Sequence, residues 1–370
     1  MKLLFAIKSL ALAGGGAERV AVEVGAMLAR RGHSVTMLTF DAQGYRPFYP
    51  LDPALEQAVL GIGDVTRRTR AMEAAHRIRA MRLAAASIRP DVAVGFMHSS
   101  YIPLGIALLG TGIPLVASEH ISYEHYRGRP LEAGLLRLTP RLARTITVLS
   151  EAVRAGFPAR IRRSMTVVPN PVSPPCQACA EVCGSDEGFK TLLAVGRLEP
   201  QKDHAVLIEA FARLAGDFPD WRLRIVGDGM LRRPLDAQIR RLGLEERVEL
   251  AGVVADIGRE YAAAQLFVMP SAYESFGLTT AEALGCGLPV IGFADCPGTN
   301  ELVQDGMNGL LASGTDRVTA LAEALSRLMA APVLRRELGA NGPATVRPFA
   351  AERIADLWEA LLSRIAAGDQ

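Results

Sequence analysis

Two cations five residues apart, Arg197 and Lys202, stand in the run Gly196-Arg197-Leu198-Glu199-Pro200-Gln201-Lys202-Asp203, directly after an apolar stretch that reads as a strand. A strand that ends in glycine and delivers an arginine fork and a mobile ammonium to the C-terminal edge of a sheet offers a seat for a phosphate. Taken alone, a basic loop is also an ordinary solvated surface. Further on, seven residues separate Glu274 from Glu282 in Pro270-Ser271-Ala272-Tyr273-Glu274-Ser275-Phe276-Gly277-Leu278-Thr279-Thr280-Ala281-Glu282. Here a glycine-bearing loop runs straight into a helix, whose free N–H groups and positive dipole end attract an anion such as a diphosphate. Glu274, ahead of that helix, is free to accept hydrogen bonds from sugar hydroxyls. Glu282, in the first turn, either accepts from the two ribose hydroxyls or closes a capping box with Thr279; the spacing leaves both open.

These residues need a scaffold that brings loops to one edge. Short β-branched runs alternate with helical patterns along the chain: Lys2 to Ile7, Ser34 to Phe40, Asp91 to Phe96, Pro114 to Ser118 and Thr145 to Leu149 read as strands, with helices at Ala17 to Arg31 and Thr66 to Ser87. After Pro169-Asn170-Pro171 and Pro174-Pro175 the alternation restarts, with strands at Thr191 to Val195, Arg222 to Val226, Val248 to Leu250, Leu266 to Met269 and Pro289 to Gly292. Such alternation predicts an α/β protein of two doubly wound, Rossmann-like parallel-sheet domains with ligand in a central cleft between their C-terminal strand edges. The expected division is a domain over 1–170, a linker over 171–188, a second domain over 189–350, and a helix over 351–370 that returns to the first domain. One closing helix is expected over Ser326 to Leu338 and another over Ala350 to Ile365.

Composition narrows the class. The chain has 370 residues, 49% apolar and 22% charged, which excludes disorder, collagen and coiled coil and suits two domains. Five cysteines, three of them at Cys176, Cys179 and Cys183, do not make a secreted disulfide framework. With no fourth ligand near in sequence, that trio reads as incidental thiols of a linker in a reducing cytoplasm rather than a zinc or iron–sulfur site. The apolar run Leu3 to Ile7 is shorter than the roughly 7 to 15 residues of an export core, so it reads as a strand. Residues 1–170 hold 22 Lys+Arg against 12 Asp+Glu, and the remainder 19 against 27. The basic first half either points to an anionic membrane surface, with Arg67, Arg68, Arg70, Arg77, Arg79, Arg82 and Arg89 of the helix over Arg67 to Arg89 as its cations, or reflects arginine as the ordinary solubilising residue of an Ala- and Arg-rich chain. Met72, Ile78, Met81 and Ile88 form a stripe on that helix which either packs on the sheet or enters lipid. Nucleic acid is not expected as a partner.

With these motifs in this order, the sequence resembles family 4 of the retaining glycosyltransferases, enzymes of the GT-B fold that use nucleotide sugars. The likeness spans nearly the whole chain: Gly14-Gly15-Gly16-Ala17-Glu18-Arg19, Val168-Pro169-Asn170-Pro171-Val172, Gly196-Arg197 with Lys202, Gly227-Asp228-Gly229, the Glu274/Glu282 pair and Gly287-Leu288-Pro289-Val290. The resemblance implies that Arg197 and Lys202 clamp the donor diphosphate, with backbone N–H groups from Gly277 and Leu278. It implies that Glu274 binds the donor sugar and Glu282 the ribose, that Val253 and Val254 contact the base, and that Gly15 and Gly16 approach the phosphates. Gly196, Gly227, Ser275 and Phe276 fall within the same donor-binding motifs. His120, closing Pro114-Leu-Val-Ala-Ser-Glu-His120, matches the family histidine near the transferred sugar; by residue type alone it is a strand-end histidine bonded within its turn. A UDP-linked donor is favoured over GDP, and Asp295-Cys296-Pro297-Gly298-Thr299-Asn300-Glu301-Leu302 looks like branches that build lipid-linked or extracellular polysaccharides, so the acceptor is expected to be a glycan or a lipid-linked one. No Asp-x-Asp occurs in the chain, and no metal or other cofactor is expected. The implied location is cytoplasmic, peripheral on the inner face of a bacterial cell membrane.

Three rivals stand beside this reading. Gly14-x-Gly16-x-x-Arg19 with Asp41 imitates a dinucleotide fingerprint but lacks the third glycine. A nucleotide-sugar hydrolase or epimerase on the same fold, and a non-catalytic two-lobed binding protein, would use many of the same residues.

Overall fold

The computed structural model describes residues 1–12, 15–67, 69–176, 180–183 and 188–368. Gly14 of the glycine-rich run, Arg68, Cys179 and Gly184-Ser185-Asp186 lie outside the described residues. The chain divides into two compact units, one formed by Met1–Pro171 together with the segment from Ala351 onward, the other by Val172–Ala350.

Seven strands of the first unit form one parallel sheet: β1 (Lys2–Ala6), β2 (Ser34–Thr39), β3 (Leu55–Val59), β4 (Val92–Phe96), β5 (Leu115–Ser118), β6 (Thr145–Val148) and β7 (Met165–Val167). Their order is β3-β2-β1-β4-β5-β6-β7, with Phe5 opposite Met37 on one side and Val94 on the other. Leu3 to Ala6 and Val92 to Phe96 are fully buried apolar runs because helices cover both faces. Those helices are α1 (Gly16–Arg30), α2 (Ala71–Ile88), α3 (His98–Leu108), α4 (Pro130–Leu136), α5 (Thr139–Leu142), α6 (Glu151–Gly156), α7 (Ala159–Arg162) and, from the far end of the chain, α15 (Ala351–Ala366). The apolar face of α15 buries Ile354, Trp358, Leu361, Leu362 and Ile365, and the Trp358 ring lies 6.2 Å from that of Phe96. Arg31, just past α1, pairs with Asp356 and Glu359 of α15, each at 2.7 Å.

The stripe on α2 is divided by its packing. Met81 and Ala85 are buried, Ile78 and Ile88 pack partly against the core around Leu4, Phe40 and Leu104, and Met72 alone stays open. Arg77, expected as a surface cation, is buried: it lies over the Phe40 ring at 4.4 Å and pairs with Glu73 at 2.7 Å. Arg82 is also engaged, donating to the carbonyls of Ala107 and Leu109. Spacing located the helix but could not tell an arginine whose guanidinium folds inward from one that stays in water.

Six strands of the second unit make a second parallel sheet: β8 (Lys190–Val195), β9 (Trp221–Val226), β10 (Val248–Gly252), β11 (Leu266–Val268), β12 (Val290–Phe293) and β13 (Gly309–Ala312), ordered β10-β9-β8-β11-β12-β13. The helices are α8 (His204–Leu214), α9 (Arg232–Arg241), α10 (Ile257–Ala263), α11 (Leu278–Gly285), α12 (Thr299–Leu302), α13 (Arg317–Ala330) and α14 (Pro332–Val346). Leu192, Phe211, Trp221, Ile291 and Leu325 belong to one core. The single helix expected over Ser326 to Leu338 is instead two: Ala331 leaves helical geometry (φ −120°, ψ 80°) and Pro332 opens α14. A second correction concerns the linker cysteines. Cys176 is not an incidental thiol but is disulfide-bonded to Cys286 just past α11, their Cα atoms 5.8 Å apart. Cys183 keeps a free thiol beside Arg336, and among the described residues no group of three or more His, Cys, Asp or Glu is placed to hold a metal ion.

Candidate active site

In the second unit strand order reverses between β8 and β11, so the loops after these two strands flank a crevice at the C-terminal edge. Gly196 to Lys202 is the first of those loops and Pro270 to Gly277 the second. They are stitched together: the Ala272 N–H donates to the Gln201 carbonyl at 2.9 Å, and the Gln201 side-chain amide to the Tyr273 carbonyl at 2.8 Å. Lys202 Nζ meets Glu274 Oε1 at 2.6 Å, and Ser271 Oγ donates to the same oxygen at 2.6 Å. Arg197 stands farther out, its side chain 51% exposed and paired with Glu199 at 2.9 Å.

Glycine makes this crowding possible at one position above all. Gly227 has φ +135°, and a Cβ there would sit 2.1 Å from the Gly196 carbonyl oxygen, so the loops after β8 and β9 touch backbone to backbone. The Gly227 N–H in turn donates to the Gly252 carbonyl at 2.8 Å, which ties in the loop after β10 carrying the exposed Val253 and the half-buried Val254. Gly277 (φ +82°) is the cap residue from which α11 starts. Thr279 therefore lies inside the helix and the capping box with Glu282 is not formed. Glu282 is 2% exposed, and its Oε2 accepts from the Tyr261 hydroxyl at 2.9 Å. Phe276 is buried edge-on against Phe349 at 5.2 Å, and Ser275 beside it is half-buried.

Two supporting side chains carry no signature in the sequence. Arg317, at the start of α13, stacks over the Phe293 ring at 3.5 Å, pairs with Asp295 at 3.0 Å and donates to the Ser271 carbonyl at 3.1 Å, bracing the Glu274 loop. His204 is buried beside the backbone of Gly196 and Arg197; burial, reinforced by the Lys202 charge, lowers its pKa to about 4 and keeps it neutral.

In the first unit, the corresponding reversal lies between β1 and β4. Gly15 (φ −84°) caps α1 and Gly16 is its first residue. Asp41, the acid of the imitation dinucleotide fingerprint, is buried and already accepts from Ser9 Oγ at 2.5 Å and the Leu10 N–H at 2.8 Å. His120 follows β5. Thr147 donates its hydroxyl proton to Ser118 Oγ, which shares a hydrogen bond of 3.0 Å with His120 Nε2. The ring also lies 5.6 Å from that of Phe96, and burial lowers its pKa to about 4 although part of its surface stays open. It is thus a neutral imidazole at physiological pH. The preceding Glu119 is buried under the hydroxyls of Tyr101 and Tyr126, each at 2.6 Å, and accepts from the Ile121 N–H at 3.0 Å, which fixes the turn that presents His120.

Known proteins agree with this architecture. Residues 14–174 match the family model described as Glycosyltransferase Family 4, and residues 180–345 the one described as Glycosyl transferases group 1. An exopolysaccharide phosphotransferase of Streptomyces coelicolor is 36% identical over 238 residues; the match takes in 64% of this chain but only 22% of that protein. A Campylobacter jejuni α-1,4-N-acetyl-D-galactosaminyltransferase, named for an acceptor built on diphospho-undecaprenol, is 26% identical over 99% of both chains. Among solved structures, HepE of Anabaena in complex with UDP and glucose superposes with a TM-score of 0.79 at 23% identity, over 98% of this chain and 99% of that one. The glycosyltransferase models that match both halves, together with two parallel-sheet units that superpose as a whole on HepE, make the chain a glycosyltransferase of the GT-B fold.

Proposed function

We propose that the protein transfers a hexosyl or N-acetylhexosaminyl unit from a UDP-linked sugar to a glycan or lipid-linked acceptor, with retention at the anomeric carbon, as a family 4 enzyme. The observation that carries this reading is the Lys202–Glu274 pair, 2.6 Å apart where the loops after β8 and β11 meet. It sets a cation suited to a diphosphate beside a carboxylate suited to sugar hydroxyls. As the sugar–oxygen bond breaks, negative charge builds on the leaving diphosphate; Arg197 and Lys202, turning to it from Glu199 and Glu274, and the N–H groups at the start of α11 meet it. Glu274 orients the sugar, Glu282 receives the ribose, Val253 and Val254 border the base, and His120 acts as a neutral hydrogen-bonding group. Gly15 and Gly16 let backbone approach the phosphates. In this account Arg197 and Lys202 of the chain itself supply the positive charge, so no metal cofactor is expected.

UDP as the nucleotide is supported by the HepE complex, and a lipid-linked acceptor by the name of the Campylobacter relative. No helix among the described residues is long and apolar enough to cross a membrane, and we place the enzyme peripherally on an anionic cytoplasmic leaflet. The test is incubation of the protein with UDP- and GDP-hexoses, with and without membrane lipid extract. UDP release that needs the extract, with an axial product bond by NMR where the donor is axial, supports the reading. Release without any acceptor identifies a hydrolase, and loss of activity in excess EDTA that added Mg²⁺ restores refutes the metal-free clamp.

A further inference from the structure

The connection from β5 to β6, residues 119–144, has α4 at its middle. One side of α4 is anchored, with Leu136 fully buried in the core that holds Tyr126, Val153 and Ile161. The opposite side is bare: Leu131 is 76% exposed, Leu135 37% and Leu138 41%. Arg137 and Leu138 keep helical backbone angles beyond α4, so these leucines, at i, i+4 and i+7, share one face. Gly134, between them, is exposed and adds no polar group. From 127 to 144 the chain exposes Arg127, Arg129, Arg137, Arg141 and Arg144 against a single carboxylate, Glu132. Glu132 is occupied within the unit, at 3.5 Å from Arg129, 3.6 Å from His125 and 3.8 Å from His98. Arg137, Arg141 and Arg144 have no ion pair among the described residues.

We infer that α4 and the turn after it are the surface by which this protein docks on an anionic lipid bilayer. The leucines enter the acyl boundary while the arginines remain at the level of the lipid phosphates. Charge decides the occupant: with Glu124 and Glu132 taken by Arg127 and Arg129, the segment keeps Arg137, Arg141 and Arg144 exposed and unpaired among the described residues, which suits a continuous plane of negative charge, and each arginine near such a plane raises partitioning roughly five-fold. This surface adds to the exposed arginines of α2, where Arg77 alone is folded inward. The purpose rests on the proposed lipid-linked acceptor, because the docked connection begins at the turn that presents His120.

The experiment floats the purified full chain with vesicles of phosphatidylglycerol and phosphatidylcholine in equal parts, or of phosphatidylcholine alone, with no nucleotide present. Binding to the anionic vesicles only, weakened by salt, is expected. Leu131→Ser with Leu135→Ser and Leu138→Ser should lower it at least tenfold, and Arg137→Ser with Arg141→Ser roughly 25-fold at low salt, both with UDP affinity retained. Leu131→Trp, at an open position that the fold tolerates, should shift the emission of the added indole to the blue on anionic vesicles. Wild-type protein that ignores those vesicles, an emission spectrum of the Leu131→Trp variant that does not move, or a dimer that the leucine substitutions dissociate would overturn the inference. Since flotation is read with no nucleotide present and UDP release in the separate incubation with lipid extract, failure of the docking surface and failure of the proposed reaction give different results.

Discussion

Lys202 and Glu274 are each other's partner, so removing either strips a charge from the diphosphate or the sugar and also leaves an unpaired ion in a half-buried crook. Lys202→Ala and Arg197→Ala should each lower kcat by about a hundredfold or more, the usual cost of losing a group that stabilises developing charge; UDP release at wild-type rate in either would remove the diphosphate assignment. Glu274→Ala should abolish transfer while calorimetry still finds UDP bound, and a loss of UDP binding would mean that Glu274 serves the nucleotide instead. Acid stability gives a second check at this scale. His98, His120 and His204 each have a pKa lowered by burial to about 4. In the unfolded chain they take up protons near pH 6.5. Between these values the unfolded state binds protons that the folded state refuses, so stability must fall as pH is lowered from about 6.5 toward 4. A melting temperature that is flat across that window would show that these rings are more hydrated than their packing indicates. The types and spacing of Arg197, Lys202 and Glu274 were legible in the sequence because each sits in a local motif. Arg317 and the tyrosines over Glu119 were not, since their partners are fixed by tertiary packing; nor was the bond between Cys176 and Cys286, which no spacing rule links.

Elements followed their apolar runs where the strands are buried, as in β1, β4 and β8, while three strands, each short or at a sheet edge, were missed. β3 (Leu55–Val59) exposes Glu56 and Gln57 and ends one sheet, β7 has three residues, and β13 ends the other sheet. β3 and β7 lack the continuous hydrophobicity that signals a covered strand, whereas β13 is apolar but only four residues long. The join between α13 and α14 was blurred for a different reason: leucines and alanines continue across Ala331 with helical spacing, and only Pro332 marks the break. What elements contribute to the site is the meeting of their ends, and Gly227 is its tightest point. Gly227→Ala should force the loop after β9 away from Gly196, weaken UDP-sugar binding at least tenfold and lower the melting temperature. Binding and stability unchanged from wild type would mean that the two loops have slack which the 2.1 Å approach denies.

At the scale of the whole molecule each unit has its own core and its own fastening. Trp358→Ala, which empties the space α15 fills against Phe96, should destabilise the first unit by about 3–5 kcal/mol and leave the second unit's calorimetric transition where it was. Reducing Cys176–Cys286 should do the reverse, because the bond closes a loop of 110 residues within the second unit, a constraint worth up to roughly 4–5 kcal/mol. If either change moved both transitions equally, the units would not unfold independently. The return of α15 to the first unit also orders events in time. As the chain leaves the ribosome, β1 to β7 are complete at residue 167, yet the helix that covers Phe96 begins only at Ala351. At roughly 5–20 residues per second, nascent chains must hold that apolar face uncovered for about 10 to 40 seconds while the second unit is made, which marks the first half of this protein as a client for chaperones during its own synthesis.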